Sequence, residues 1–220
     1  EKNSTSEIEI EENSTSEIEI EENILYNFNT VDNNEGWINY TTDGSGTLTE
    51  IPLSDDNVYK VYENNLIYPH TIQPSLLYSP IGNRDLQHKS LIFRSPQFYI
   101  RSSSNITLEI AGGNGASDIS TINLTNIPEN TSNSGHLAIG IRKITETSYI
   151  AIKRNPVVFQ GNGNWHTITF STSDFTSLSQ DTLVVIELID SYYGAWGWIS
   201  IRNVHIQLEI TPAPAPAPAP

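Results

Sequence analysis

Along this chain apolar and polar residues alternate in short runs instead of recurring every third or fourth position, a period that belongs to strands and not to helices. The densest run is 183–210, LVVIELIDSYYGAWGWISIRNVHIQLEI. Two β-branched stretches flank Tyr192, Tyr193, Gly194, Ala195, Trp196, Gly197 and Trp198, which predicts a buried strand, a turn and a second strand. In the second arm the apolar positions are Ile199 and Ile201, then Val204, Ile206, Leu208 and Ile210. Parity changes between Ile201 and Val204. Side chains alternate faces along a strand, so one extra residue is needed to keep the apolar set on one side, and Arg202 with Asn203 is read as a β-bulge.

The remaining pattern is of the same kind. ILYNFNT (24–30) predicts the first strand of the domain, Gly36-Trp37 a turn into INYTT (38–42), TDGSGT (42–47) a turn, and VYKVY (58–62) a short strand. Residues 63–89, with Pro69, Pro74 and Pro80, predict a long irregular section that packs on the surface or forms a binding loop. SLIFRSP followed by FYIRS reads as a strand interrupted at Pro96, as at an edge or bulge. NITLEIAGG alternates and stops on glycine, and 114–135 reads as a loop around a short INLT strand. HLAIGIRKI, SYIAIKR, PVVF and WHTITF complete the series, and 174–180 is the one stretch that suits a helical turn. The expected fold class is all-β: a single antiparallel β-sandwich of jelly-roll type over 24–210.

Both ends differ from this body. EKNSTSEIEI (1–10) is followed by EENSTSEIEI (11–20), and a third copy begins at 21, so 1–23 is an acidic decapeptide-repeat arm. Glu and Ile alternate within each copy, which gives either a solvated acidic linker or a strand with one apolar face. In the second reading Ile8, Ile10, Ile18 and Ile20 face one way and add to the sheet of another copy of the chain by strand exchange. TPAPAPAPAP (211–220) lacks alternate N–H groups and predicts an extended polyproline II tail or linker.

The closing motif ELID-x(3)-G-x-WGWI-x-I-x-NV resembles the last hairpin of non-catalytic β-sandwich domains of secreted proteins, similar to carbohydrate-binding modules and galactose-binding-like jelly rolls. The likeness extends upstream through HKSLIFRSPQF (88–98), ITLEIAGG (106–113), LAIGIRKITETSYI (137–150) and NWHTITF (164–170). It implies a sandwich that binds and does not catalyse. Such domains often carry an acidic residue just before the final Asn-Val; here Arg202 occupies that position, so no metal or ligand role is carried over.

Composition narrows the field. Formal charge is −15, but nine glutamates in the first 22 residues against Lys2 account for −8 and leave −7 for the rest. Eleven scattered Lys and Arg do not make a phosphate-binding surface, so nucleic acid and anionic membranes are unfavourable partners. No apolar run approaches the roughly 18 residues of a membrane helix. With no cysteine there is no disulfide framework and no thiolate metal site. Beginning at Glu1 without methionine or a signal peptide, the chain reads as processed or excerpted.

No catalytic constellation emerges. The five histidines lack ligand spacing, and GGNG (112–115) precedes no helix. The carboxylates Asp190, Glu187, Asp85 and Glu109 are candidates for a glycosidase-like pair that sequence alone does not place together. No enzyme activity, cofactor or metal is expected, and a structural calcium has no support in the residues. The candidate glycan site is Tyr192, Tyr193 and Trp196, whose rings offer stacking faces for sugars, with Arg84, Asp85 and His88 on the same rim. Six Asn-x-Ser/Thr sequons, at Asn3, Asn13, Asn39, Asn105, Asn123 and Asn130, suggest covalent glycans and an extracellular or cell-surface location. The expected function is a structural subunit of an extracellular glycoprotein filament or surface coat, built from copies of itself; the alternative is a glycan-binding module of a larger secreted protein or glycosidase.

Overall fold

The computed structural model describes residues 22–28, 35–42, 44–51, 59–63, 66–70, 90–113, 115, 118–127, 135–156, 165–191 and 199–208. Their strands are β1 (Glu22–Tyr26), β2 (Ile38–Thr42), β3 (Leu48–Ile51), β4 (Tyr59–Glu63), β5 (Leu66–His70), β6 (Ser90–Arg94), β7 (Phe98–Ile100), β8 (Asn105–Gly112), β9 (Leu137–Lys143), β10 (Tyr149–Lys153), β11 (His166–Phe170), β12 (Thr182–Asp190) and β13 (Ile199–Leu208). They form two antiparallel sheets. The first runs β11-β8-β13-β5-β4, with β1 also on β13; the second runs β10-β9-β12-β6-β2-β3, with β7 also on β12.

The two sheets pack face to face as a β-sandwich. Ile106, Leu108 and Ile110 of β8 and Ile199, Ile201, Val204 and Ile206 of β13 meet Val184, Ile186 and Leu188 of β12 and Ile139 and Ile141 of β9 in one core. Tyr26, Phe28, Trp37 and Phe93 close one part of it with ring centroids 5.2–6.4 Å apart, largely edge-on or tilted. The parity change in the last strand is a bulge: pairing with β8 shifts between Arg202 and His205, and Asn203 has φ +50°. Both Ile201 and Val204 therefore stay in the core.

Serine chemistry explains the break at Pro96. Ser95 N–H donates to the Ile186 carbonyl at 2.9 Å, and its hydroxyl oxygen accepts from Ile186 N–H at 2.9 Å. That side chain stands in for a ladder partner, so β6 and β7 lie as two halves of one strand along β12.

Three expectations are corrected. The section 63–89 is not irregular throughout, because β5 lies inside it and forms a hairpin with β4. Pro69 is tolerated there since β5 meets β13 only at His70 opposite Ser200, leaving most of that edge without a ladder to which an N–H is owed. INLT is not a strand: 120–126 are turns with a single bridge from Asn123 to Ser148. The helical turn is a 3-10 turn at Thr172–Asp174, earlier than 174–180, because Ser171 N–H donates to the Asp174 carboxylate at 2.8 Å and fixes its start. The arm 1–21, the Ala-Pro tail and positions 157–159 of PVVF lie outside the described residues.

Candidate functional site

A sandwich has two outer faces, and in this chain they are used differently. On the second sheet the segment 118–127 crosses the outer face and buries Ile122, Leu124 and Ile127 on Ile92, Ala138 and Ile189. The segment holds its own backbone: Asp118 accepts from Ser120 N–H, Asn126 Oδ1 accepts from Asn123 N–H, and Asn126 Nδ2 donates to the Thr121 carbonyl. Leu124 N–H ties it to the Thr147 carbonyl at 3.0 Å. Gly44 (φ +79°) lies so close that a Cβ would meet the Ile127 carbonyl oxygen at 2.6 Å.

Beside this cover lies a charged cluster that strand register brings together. Glu187 of β12 stands opposite Arg94 of β6 on one side and Gly140 of β9 on the other. Ile186 and Leu188 face the core, so Glu187 points to the outer face, where it is fully buried. Its Oε1 accepts from Arg94 Nε (2.7 Å) and Arg142 NH2 (2.7 Å), and its Oε2 accepts from Arg142 Nε (3.0 Å) and the Tyr149 hydroxyl (2.7 Å). Arg142 NH1 donates onward to the carbonyls of Lys143 and Glu146. Gly140 makes room: a Cβ there would collide with the Tyr149 ring, which lies over it to reach Glu187.

Burial by itself would raise the Glu187 pKa, but the hydrogen bond and charge of Arg142, then Arg94 and Tyr149, outweigh it and hold the carboxyl below its ordinary 4.5. Burial pushes Tyr149 well above its ordinary range, and the Glu187 charge pushes it further, so the phenol stays protonated and donates. Two guanidiniums thus face one carboxylate.

Above this floor is a cleft of about 290 Å³ lined by Gly46, Leu48, Arg94, Leu124, Arg142 and the turn 144–147. The Arg94 guanidinium stacks 4.6 Å over the Tyr40 ring and is mostly buried. The lining combines apolar Leu48, Leu124 and Ile144 with the hydroxyls of Thr145 and Thr147 and a fixed fork of N–H donors.

The outer face of the first sheet is polar. Arg202 of β13 pairs with Glu109 of β8 directly across the ladder, Nε to Oε2 at 2.9 Å, and stacks 4.3 Å over Trp165. Asn203, swung out by the bulge, also donates to Glu109. Here too burial opposes and the bonds to Arg202 and Asn203 prevail, lowering the carboxyl. Arg202 neutralises Glu109.

Of the residues singled out from sequence, Tyr192, Tyr193, Trp196, Arg84, Asp85 and His88 lie outside the described residues, as do Ile8, Ile10, Ile18, Ile20, Asn3, Asn13 and Asn130. Asn39 is half-buried in β2, Asn105 half-buried at the start of β8, and Asn123 holds Thr125 with its side-chain oxygen. Among the described carboxylates Glu187, Glu109 and Asp190 no pair forms, and Asp85 lies outside the described residues. Glu187 and Glu109 stand on the outer faces of different sheets, and Asp190, three residues along β12, points to the opposite side from Glu187. Arg94, Arg142 and Tyr149 were missed. For the two arginines a signal was present: Arg94 in LIFRSP and Arg142 in AIGIRKI, like Glu187 in VVIELID, are charges set within apolar runs that leave them little solvent. Among the described residues no group of three or more His, Asp or Glu side chains is arranged to hold a metal ion, and no helix is long and apolar enough to cross a membrane.

No protein-family model matches the chain, and no curated protein does. Solved structures similar to it include the K3 cleaved adhesin domain of Lys-gingipain from Porphyromonas gingivalis W83, 12% identical, TM-score 0.44, over 84% of this chain and 98% of that one. A cyclase from Fischerella sp. TAU is 17% identical, TM-score 0.42, over 86% and 100%. The xylan-binding module CBM15 is 12% identical, TM-score 0.35, over 85% and 97%. Adhesin, binding module and cyclase stand side by side here, so the likeness concerns fold alone.

Proposed function

We propose that the chain is a non-catalytic glycan-binding β-sandwich domain of an extracellular protein, and that it binds in the cleft beside the 118–127 cover. The observation that carries this reading is the lining of the cleft. Sugars present C–H faces and hydroxyls in alternation, and the cleft answers with Leu48, Leu124 and Ile144 beside Thr145, Thr147 and the fixed Arg94 fork. Its volume of about 290 Å³ suits one or two sugar rings. The ionisable groups favour binding over catalysis. Glu187 is saturated by four donors and Tyr149 is held protonated, so neither is available as a base.

Thr145 is exposed, and Thr145→Trp fills the cleft without touching the core. On a glycan array the native domain should be retained and this variant should not. Equal retention of both would remove the cleft from the site and return attention to Tyr192 and Tyr193, whose replacement by Ala tests that turn. The filament or surface-coat reading rests on the two ends, the repeat arm and the Ala-Pro tail, making contacts between subunits. Replacing Ile8, Ile10, Ile18 and Ile20 by Ser would abolish assembly if the arm exchanges strands.

A further inference from the structure

We infer that the cleft selects glycans carrying a carboxylate, that is, uronic-acid-type sugars, over their neutral counterparts; this rests on the cleft being the glycan site. The charge count points there. Among the described residues Arg94 and Arg142 are balanced by Glu187 alone, since Tyr149 is neutral. Glu146 at the rim is already paired with Lys143 at 2.9 Å. Glu50, exposed on β3 opposite Tyr40, makes no ion pair with Arg94. One positive charge is left over.

The hydrogen-bond geometry says where it is offered. Arg142 spends Nε, NH1 and NH2 on Glu187 and two carbonyls. Arg94 turns only its Nε and NH2 side towards Glu187 Oε1 (2.7 and 2.6 Å), and its NH1 has no protein acceptor among the described residues. The end of the guanidinium, one N–H from NH1 and one from NH2, is therefore open in the wall of the cleft. Two parallel donors at that spacing match the two oxygens of a carboxylate. Stacking on Tyr40 and the bond to Glu187 fix the plane of the fork before any ligand arrives, so little side-chain freedom is lost on binding. Neutral hydroxyls can use these donors, but they leave the charge uncompensated. The chain's net −15 works against polyanions, so the expected ligand bears isolated carboxylates and not dense sulfation.

The test is an array of glucuronate-, galacturonate- and mannuronate-terminated oligosaccharides beside the matching glucose, galactose and mannose compounds, at 0.15 M salt to screen long-range repulsion. At least one acidic compound should bind about tenfold or more tightly than its neutral match, the range of a charge-assisted bidentate contact. Methyl esterification of its carboxylate should remove the difference, a readout that needs no variant to fold. Arg94→Lys, which keeps the charge and loses the fork, should reduce the preference to about threefold or less. Thr145→Trp should block acidic and neutral compounds alike. Equal binding of both classes, still blocked by Thr145→Trp, overturns the acidic preference and leaves the glycan cleft standing. Binding of neither class overturns both, and acidic binding that survives Thr145→Trp moves the site out of the cleft.

Discussion

Each sheet carries on its outer face an arginine directly across the ladder from a glutamate, with its guanidinium over an aromatic ring: Arg94 and Glu187 with Tyr40, Arg202 and Glu109 with Trp165. The separations are alike, 2.6 and 2.9 Å at the closest atoms, but the surroundings differ. Glu187 has no exposed side-chain surface and shares a second guanidinium, Arg142, that is 3% exposed, whereas Glu109 keeps 27% of its side chain in solvent. The cover 118–127 makes the difference, since the first pair sits beside a second small core and the second pair has none over it among the described residues. An ion pair of one geometry is thus a fixed element of the interior on one sheet and a solvent-screened surface contact on the other.

Glu187→Gln should separate the two faces most sharply. It leaves Arg94 and Arg142 buried without a counter-charge and should cost about 3–5 kcal/mol in denaturant unfolding. The acid limb should carry the same signature. A carboxyl whose folded pKa is depressed contributes stability above its unfolded pKa and loses that contribution as pH falls towards the folded one. The native domain should therefore weaken progressively below about pH 4.5, and Glu187→Gln should lack that part of the slope. Leu124→Ala thins the cover itself and should lower stability by about 2–4 kcal/mol, read as a shift in thermal midpoint. If Leu124→Ala were silent, the cover would not be what keeps Glu187 dry. Glu109→Gln on the open face should cost less than about 1 kcal/mol, and in a double-mutant cycle with Arg202 the coupling should shrink as salt rises. Leu25→Ser, at a side chain 54% exposed, should lie within about 0.5 kcal/mol of the native domain.

Strand alternation made much of this fold legible. The bulge at Asn203 followed from a single parity change, and the interruption at Pro96 from the missing N–H. The cover was not legible, because Ile122, Leu124 and Ile127 are scattered through an Asn-, Ser- and Thr-rich segment with no period, and their burial depends on which sheet lies beneath. The charged cluster was half legible. A charge set within an apolar run signals a buried partner, but Arg94, Arg142 and Glu187 lie 45 to 93 positions apart along the pairs they form, and strand register alone unites them. Local propensity has no access to such pairings.

The placement of β1 on β13 has a mechanical consequence. Glu22 lies opposite Leu208 and Tyr26 opposite Val204, so the two points where the chain enters and leaves this fold sit at the same end of one antiparallel ladder. Tension between them loads the Glu22–Leu208 rung first and the others in turn, as a zip opens, whereas a ladder pulled lengthwise shares the load across every rung at once. Strung in a chain under flow, the domain would give way first by shedding β1 at low force. The packing of Ile24 and Tyr26 against the core would be lost with it, while the ladder between β13 and β8 stayed closed, ready to take the strand back when the pull eased.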